Sequence, residues 1–314
     1  MASYLFRRFM LGILVLAIAL LILFCLVYAV PGDPATIALG PRASEAQKVA
    51  FRERMGLDDP LIVQALNYLG LLLSGDMGVD LISQRPVADL VLAALPRTVM
   101  LAVVGLGWAA VIGLPLGVIS ALRPNTLIDR AVGVISTSVV ALPAFLMAIY
   151  ALMLFSVTLG WFPAIGAGEP GDFLGQARHL VLPALAVGIA WVGYIARLVR
   201  VSMLEVLAEN HVRTYRAFGV SDMKIALRFA LPIAVVPVLS VIGVGMGNLL
   251  SGAVLVEVVF ARPGLGALAY DAVISRNFPV LFGSVVVTTG LYVTANFLAD
   301  AAIAVLDPRV AKEG

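Results

Sequence analysis

The chain has 314 residues, of which 61% are hydrophobic and 13% are charged, and its formal net charge at pH 7 is +2. A soluble globular protein has about half apolar and about a quarter charged residues, so this chain has too few charges to cover a water-facing surface. The composition therefore predicts a membrane protein, which the long apolar runs described below make an all-α one. The small net charge argues against a nucleic-acid partner.

The first predicted element is an apolar run from Phe9 to Val30, which follows Arg7 and Arg8. A run of this length can cross a hydrocarbon core of ~30 Å, and it exceeds the apolar region of about 7–15 residues in a cleaved signal peptide. We therefore predict a retained first transmembrane helix at residues 9–30. The single cysteine, Cys25, lies in this run, so no disulfide framework is expected.

Five further apolar runs follow a long, more polar segment at residues 31–96. They span residues 98–122, 132–159, 180–198, 232–260 and 279–306. With the first run they predict six transmembrane helices. Five of these form a core at residues 97–306, which precedes a short tail at residues 307–314.

Prolines and glycines punctuate the predicted core. The prolines within its apolar runs are Pro115, Pro143, Pro183 and Pro237. We expect them inside spanning helices, because neighbouring membrane helices can satisfy the carbonyl that a proline frees. The spacing of Gly113 and Gly117 permits close approach of another helix.

The distribution of lysine and arginine predicts the orientation. Basic residues concentrate in the N-terminus, in the loops after the second and fourth runs, and in the tail, whereas the short loops opposite contain only Arg178, Arg262 and Arg276. Short loops rich in Lys and Arg stay in the cytoplasm. Both termini, residues 1–8 and 307–314, are therefore predicted to be cytoplasmic, and the segment 31–96 faces the outside.

The longest predicted cytoplasmic segment spans residues 199–231. Apolar and aromatic side chains recur every third residue from Val212 to Phe218, which is typical of a short amphipathic helix. Gly219 can end this helix in a left-handed conformation, and Ser221 can cap a second one. The spacing leaves two interpretations open: a helix resting on lipid headgroups, or a helix that docks into a partner's groove.

The same segment resembles the EAA loop of ABC importer permeases. In that loop a glycine precedes, at a fixed distance, an apolar residue, any residue, leucine and proline; here these are Gly219 and Phe229-Ala230-Leu231-Pro232. The stretch VRTYRAFG at residues 212–219 is similar to the VRTARAKG of oligopeptide/dipeptide-type permeases. It departs at Tyr215, where alanine is usual, and at Phe218, where lysine is usual.

Further motifs of this family occur in order along the chain. They are Pro31-Gly32-Asp33-Pro34, Gly56-Leu57-Asp58, Gly75-Asp76-Met77-Gly78, Ser202–Leu207, Glu257 and Phe260 with Pro263-Gly264-Leu265-Gly266, and Asn296, Asp300 and Asp307-Pro308-Arg309. The chain therefore resembles a permease of the oligopeptide/dipeptide and nickel import family. The resemblance implies the six-helix fold of a type I ABC importer.

The resemblance implies a bacterial inner-membrane subunit that works with separate proteins. Its partners would be a second, paralogous permease in a heterodimer, two subunits that bind ATP and Mg, and a periplasmic or lipid-anchored solute-binding protein that meets the periplasmic segment 31–96. The residues implied in coupling to the ATPase are Arg213, Thr214, Tyr215, Arg216, Ala217, Phe218, Gly219, Leu231 and Pro232. The implied signature residues are Pro31, Gly32, Asp33, Glu257, Pro263, Gly264, Gly266 and Asp300.

No catalytic, cofactor or metal site is expected on the chain itself. It contains no GxxxxGK[ST] loop to hold a phosphate, and His179 and His211 are its only histidines. Small hydroxyl and amide side chains are candidates for lining the path, namely Ser240, Asn248, Ser251 and Thr288. We assign Glu257 and Asp300 structural roles in preference to contact with solute.

Several substrates and one other transporter class remain open. Dipeptides and oligopeptides are the predicted solutes, and chelated nickel, glutathione, sugars or opines are alternatives. A stand-alone secondary transporter or channel is the alternative of another class, although such proteins usually show internal repeats or intramembrane ionisable residues.

Overall fold

The computed structural model describes residues 2–29, 35–36, 44–55 and 59–306. Pro31, Gly32 and Asp33 and the tail from residue 307 lie outside the described residues. Within the described ranges the chain is mainly helical, and its β-structure is one isolated bridge between Val79 and Pro86.

The helices are numbered here in chain order. They are α1 (Ala2–Ala29), α2 (Glu45–Met55), α3 (Leu61–Leu73), α4 (Val87–Leu122), α5 (Leu127–Val140), α6 (Ala144–Ala151), α7 (Phe173–Leu207), α8 (Asn210–Ala217), α9 (Val236–Val259), α10 (Leu265–Ile274) and α11 (Phe278–Leu306). A π-helix, Leu152–Thr158, continues α6. A linking helix at residues 222–234 combines an α turn, the π-helix Ile225–Ala230 and another α turn.

The predicted count of six spans is matched only in part. By length and composition, Phe6–Cys25, Val87–Leu122, Phe173–Leu207 and Phe278–Ala301 can cross a membrane. The bent pair α5 and α6, with its π-helical continuation, would be a fifth span, whereas the part of α9 at Gly245–Val259 is a shorter apolar helix. The described residues therefore support four spans, or five with the bent pair.

Two of the prolines predicted inside helices lie at helix starts instead. Pro143 separates α5 from α6, where the chain bends by 99°. Proline has no N–H for the helical ladder and disfavours helical backbone in the residue before it, so the bend falls there. Pro237 lies in the first turn of α9, while Pro183 is inside α7 and Pro115 is inside α4, as predicted.

The chain divides into two compact units, which we describe separately: Met1–Phe6 with Val99–Arg262 and Ala295–Gly314, and Arg7–Thr98 with Pro263–Thr294. The core of the first unit contains small and aliphatic side chains from α4, α7, the linking helix and α9, including Ala109, Val199, Met203, Ala226 and Val238. The second unit has its own core around Val87, Val91, Leu265 and Val280.

Glycines allow α4 and α5 to pack closely on α7 in the first unit. A Cβ at Gly117 would lie 2.6 Å from Val199 Cβ, and one at Gly193 would lie 2.6 Å from the Ser136 carbonyl oxygen. Another close contact is at Gly188, where a Cβ would lie 2.2 Å from the Gly105 carbonyl oxygen. The close approach predicted from the spacing of Gly113 and Gly117 is confirmed.

Residues 31–96, which the sequence presented only as a loop, contain α2 and α3. Ser44 and Gln47 begin α2 with a reciprocal capping box, because the Ser44 N–H donates to Gln47 Oε1 (2.9 Å) and the Gln47 N–H donates to Ser44 Oγ (3.3 Å). A helix can therefore begin here without any long apolar run, which is why hydropathy alone did not reveal it.

A buried carboxylate organises the turn before α4 in the second unit. Burial would raise the pKa of Asp80, but hydrogen bonds from Ser83, the Ile82 N–H and Asn277 favour the charged form and hold this pKa below its ordinary value. The contact with Asn277 joins the turn to the segment between α10 and α11.

Candidate functional site

The predicted coupling segment begins inside α7, the most buried of the four long candidate spans. Residues 199–207, which we assigned to a loop, are the last turns of α7. Only Ala208 and Glu209 separate α7 from α8, and their N–H groups donate to Glu205 (3.2 Å) and Val206 (3.1 Å) carbonyls. The α8 helix is therefore attached to α7 by a short, hydrogen-bonded joint.

Gly219 ends α8 as predicted. Its φ is +76°, a left-handed backbone conformation that is unfavourable for residues with a Cβ atom. The Gly219 N–H donates to the Arg216 carbonyl (2.9 Å) and the Val220 N–H to the Tyr215 carbonyl (3.1 Å). These two bonds form a Schellman motif, which satisfies carbonyls at the end of the helix.

The inner side of α8 is joined to the linking helix by side chains. The Tyr215 ring stacks on Phe229 with a centroid separation of 4.4 Å, and His211 meets Tyr215 edge-on at 5.9 Å. At the exposed end of the helix, Arg216 Nε donates to Asp222 Oδ1 at 2.9 Å, across the turn at Gly219. Tyr215, which departs from the family pattern, thus contributes to holding α8 in place.

The outer side of α8 is exposed and mixed in character. Arg213, Thr214 and Ala217 are exposed, and Phe218 is 81% exposed just beyond the end of the helix. The prediction that Val212 and Phe218 share one apolar face is therefore wrong in part. Val212 is fully buried, whereas Phe218 is exposed to solvent. The helical period stops applying at Phe218, because α8 ends at Ala217.

The other residues of the predicted coupling set, Leu231 and Pro232, lie on the linking helix. Leu231 packs against the core of the first unit, and Pro232 is exposed. Ser221 precedes this helix as predicted, but its side chain makes no capping hydrogen bond.

The structure also contains a partly buried ion pair that the sequence analysis missed. Asp129, at the start of α5, accepts hydrogen bonds from Arg200 Nη2 on α7 (2.7 Å) and from the Asn125 N–H (2.8 Å). Ser120, near the end of α4, donates to the same carboxylate. The one local signal is Thr126, which caps α5 by accepting from the Asp129 N–H at 3.4 Å.

The candidate path and signature residues are distributed over several helices. Asn248 and Ser251 are exposed and, three positions apart on α9, share a face; Thr288 on α11 is half-buried, and the side chain of Ser240 is not described.

Among the signature residues, Glu257 is fully buried and Asp300 half-buried. Gly264 and Gly266 are buried at the start of α10, where the Leu265 N–H donates to Thr98 Oγ1 at 2.8 Å, and the carbonyl of the exposed Pro263 accepts from Arg97 at 3.4 Å.

The fold is that of the membrane-spanning subunit of a type I ABC importer. A chain of the MetNI methionine ABC transporter, solved in inward-facing conformations, superposes with a TM-score of 0.58 at 21% sequence identity, covering 69% of this chain and 96% of that one. A second crystal form gives the same TM-score at 22% identity.

The chain belongs to the binding-protein-dependent transport system inner membrane component family. The model of that family matches residues 113–312, and the model of the family's N-terminal part matches residues 1–102. The oligopeptide transport system permease protein AppB of Bacillus subtilis is 35% identical over 314 residues, with 99% of each chain covered. The glutathione transport system permease protein GsiC of Escherichia coli K12 is 34% identical over 310 residues, again with 99% of each covered.

Family membership defines the general role of the chain. It is a multi-pass inner-membrane subunit of an ABC importer and not an enzyme, since ATP hydrolysis belongs to separate subunits. Its family implies association with ATP-binding subunits and with a solute-binding protein.

Proposed function

We propose that this chain forms the membrane path for dipeptides, oligopeptides or similar polar organic solutes. The names of the relatives support this solute class, because one is an oligopeptide permease and another a glutathione permease, and each aligns over nearly its whole length. Asn248 and Ser251 on the exposed face of α9 are candidates for the path, since they offer amide and hydroxyl groups without charge.

Coupling to ATP hydrolysis would occur at α8. The observation that carries this proposal is the outer side of α8, where Arg213, Thr214, Ala217 and Phe218 are exposed while the inner side is fastened to the rest of the unit. A helix whose inner side is fixed to its own subunit and whose outer side is exposed is suited to docking into a partner's groove. The ATP and Mg would be bound by that partner, and a paralogous permease would complete a heterodimer.

The solute class is tested by uptake in matched deletion and complemented strains. We expect the chain to restore uptake of labelled di- and oligopeptides to a strain that lacks it. Nickel uptake, measured with and without an organic chelator, tests the alternative that the solute is chelated nickel. Restoration of free-metal uptake alone, with peptide uptake unchanged, would show that the proposed solute class is wrong.

The proposed orientation places both termini in the cytoplasm and residues 31–96 in the periplasm. Reporter domains fused after Gly75 and after Lys312 should then lie in opposite compartments. We expect an alkaline phosphatase fusion to be active after Gly75 and inactive after Lys312. Activity at both positions, or at neither, would contradict the orientation derived from the positive-inside rule.

A further inference from the structure

The helices α4, α5 and α7 meet at one carboxylate. Asp129 Oδ1 accepts from Arg200 Nε (2.5 Å) and from Ser120 Oγ, while Asp129 Oδ2 accepts from Arg200 Nη2 (2.7 Å) and from the Asn125 N–H (2.8 Å). The side chain of Asp129 is 7% exposed and that of Arg200 28% exposed. Ser120 is fully buried. We call Ser120, Asp129 and Arg200 the latch.

The geometry of the latch fixes orientation as well as distance. Arginine presents two parallel N–H groups to both oxygens of the carboxylate, a planar fork that lysine cannot reproduce. Each carboxylate oxygen has one further donor, so the carboxylate cannot rotate without breaking a bond. Even a fully buried ion pair adds little net stability over an apolar contact, so the main effect of this partly buried pair is to hold the three helices in one arrangement.

One side of the latch leads directly to the docking helix. Arg200 lies two turns before the end of α7 at Leu207, and the joint at Ala208 and Glu209 connects α7 to α8. The linking helix reinforces this connection, because Phe229 stacks on Tyr215 of α8 while Ala226 and Ala230 belong to the same core as α7. The α8 helix and the end of α7 are therefore connected both along the chain and through the linking helix.

The other side of the latch leads to α4 and α5. Asp129 is in the first turn of α5, and Ser120 is in the last turn of α4. The loop between these helices adds the Asn125 N–H to the carboxylate and the Thr126 cap to α5. The ends of α4, α5 and α7 are thus tied at one point on the face that the positive-inside rule assigns to the cytoplasm.

We propose that the latch makes the ends of α4, α5 and α7 move together when a partner displaces α8, so that Asp129 and Arg200 are positioning residues for energy coupling. This inference rests on the proposed function of α8 as the docking helix. It predicts that breaking the latch separates ATP hydrolysis from transport while the partner still docks.

The test uses the complete transporter in proteoliposomes with an oligopeptide that the wild type takes up. We measure peptide transported per ATP hydrolysed for Asp129→Asn, Arg200→Gln and the double variant, each at matched amounts of the chain. We expect each single variant to lower this ratio by about fivefold or more, the lower end of typical coupling between sites. The double variant should be no worse than the singles, because both remove one unit.

Two further variants make the result specific. Arg197→Gln removes an exposed arginine one turn earlier on α7 and should leave the ratio unchanged. Arg200→Lys keeps the charge but loses the fork, so it should lower the ratio by less than Arg200→Gln. It also provides the comparison if a neutral variant does not accumulate in the membrane.

A cysteine at Thr214, cross-linked to the ATPase subunit, separates the two proposals. Wild-type-like cross-linking with a lowered transport ratio supports the latch. An unchanged ratio of transport to hydrolysis in the latch variants overturns the inference while leaving docking by α8 intact. A loss of cross-linking in proportion to lost hydrolysis also overturns it, because the latch would then only help to build the docking surface. Absence of the cross-link in the wild type would instead contradict docking by α8.

Discussion

Gly188→Val should lower the amount of folded protein in the membrane several-fold and abolish uptake. At this position α7 crosses α4, and a Cβ would lie 2.2 Å from the Gly105 carbonyl oxygen and 2.4 Å from Trp108 Nε1. Trp108 cannot readily turn aside, because its Nε1 donates to the Ala184 carbonyl at 2.7 Å. Overpacking a tight contact lowers the stability of a protein by about 1–3 kcal/mol. Here one of the clashing atoms is the Gly105 backbone oxygen, which cannot move aside as a side chain can.

The matched control is Gly107→Val, on α4 close to the same crossing. A Cβ at Gly107 meets no atom within 4 Å, so this variant should accumulate like the wild type. Detergent-solubilised protein measured by fluorescence-detected size exclusion provides the comparison. Equal amounts of the two valine variants would show that α4 and α7 are not packed as closely as the structure indicates.

Gly219→Val should strongly reduce ATP-driven uptake without reducing the amount of protein. A Cβ at Gly219 has no atom within 4 Å, but its φ of +76° is in the left-handed region. The left-handed conformation costs an ordinary residue about 1–2 kcal/mol, and β-branched side chains resist it further. The Schellman bonds at the end of α8 would be lost, and the proposed docking helix would no longer be held at one angle.

A substitution series separates backbone strain from loss of space. Asparagine adopts left-handed backbone more readily than alanine, so uptake should decrease in the order Gly219, Gly219→Asn, Gly219→Ala, Gly219→Val. Gly133→Val is the control, because Gly133 lies in helical backbone with open space around it. Equal uptake across the Gly219 series would remove our account of this glycine.

Much of the fold was predictable because long apolar runs have few alternatives to membrane helices. The predicted end at residue 122 coincides with the end of α4. Apolar runs, however, measure only the part of a helix that lies in lipid. A helix continues past that part as long as its backbone hydrogen bonds are satisfied, so the extension of α7 to Leu207 was missed. The 99° bend at Pro143 was also missed, because a proline in a membrane helix can be either accommodated or a break.

The candidate site was predictable where its cause is local. A glycine after an amphipathic stretch predicts a left-handed helix end, and Gly219 has that conformation. The inward orientation of Tyr215 depends on Phe229, a ring in a different helix. The pairing of Asp129 with Arg200 joins residues 71 positions apart. Neither contact leaves a periodic trace in the chain, so a single sequence could not reveal them.

The central claim, that α8 is where the ATPase docks, is tested most directly by cysteine cross-linking. In a Cys25→Ser background, which removes the only native cysteine, cysteines replace Thr214 or Ala217 on the exposed side of α8. Cysteines at Ser74, in the segment 31–96, and at Arg123, in the loop before α5, serve as comparisons. We expect Thr214→Cys and Ala217→Cys to cross-link to the ATPase subunit and Ser74→Cys not to do so. Cross-linking from Arg123→Cys, with none from either α8 position, would contradict the account.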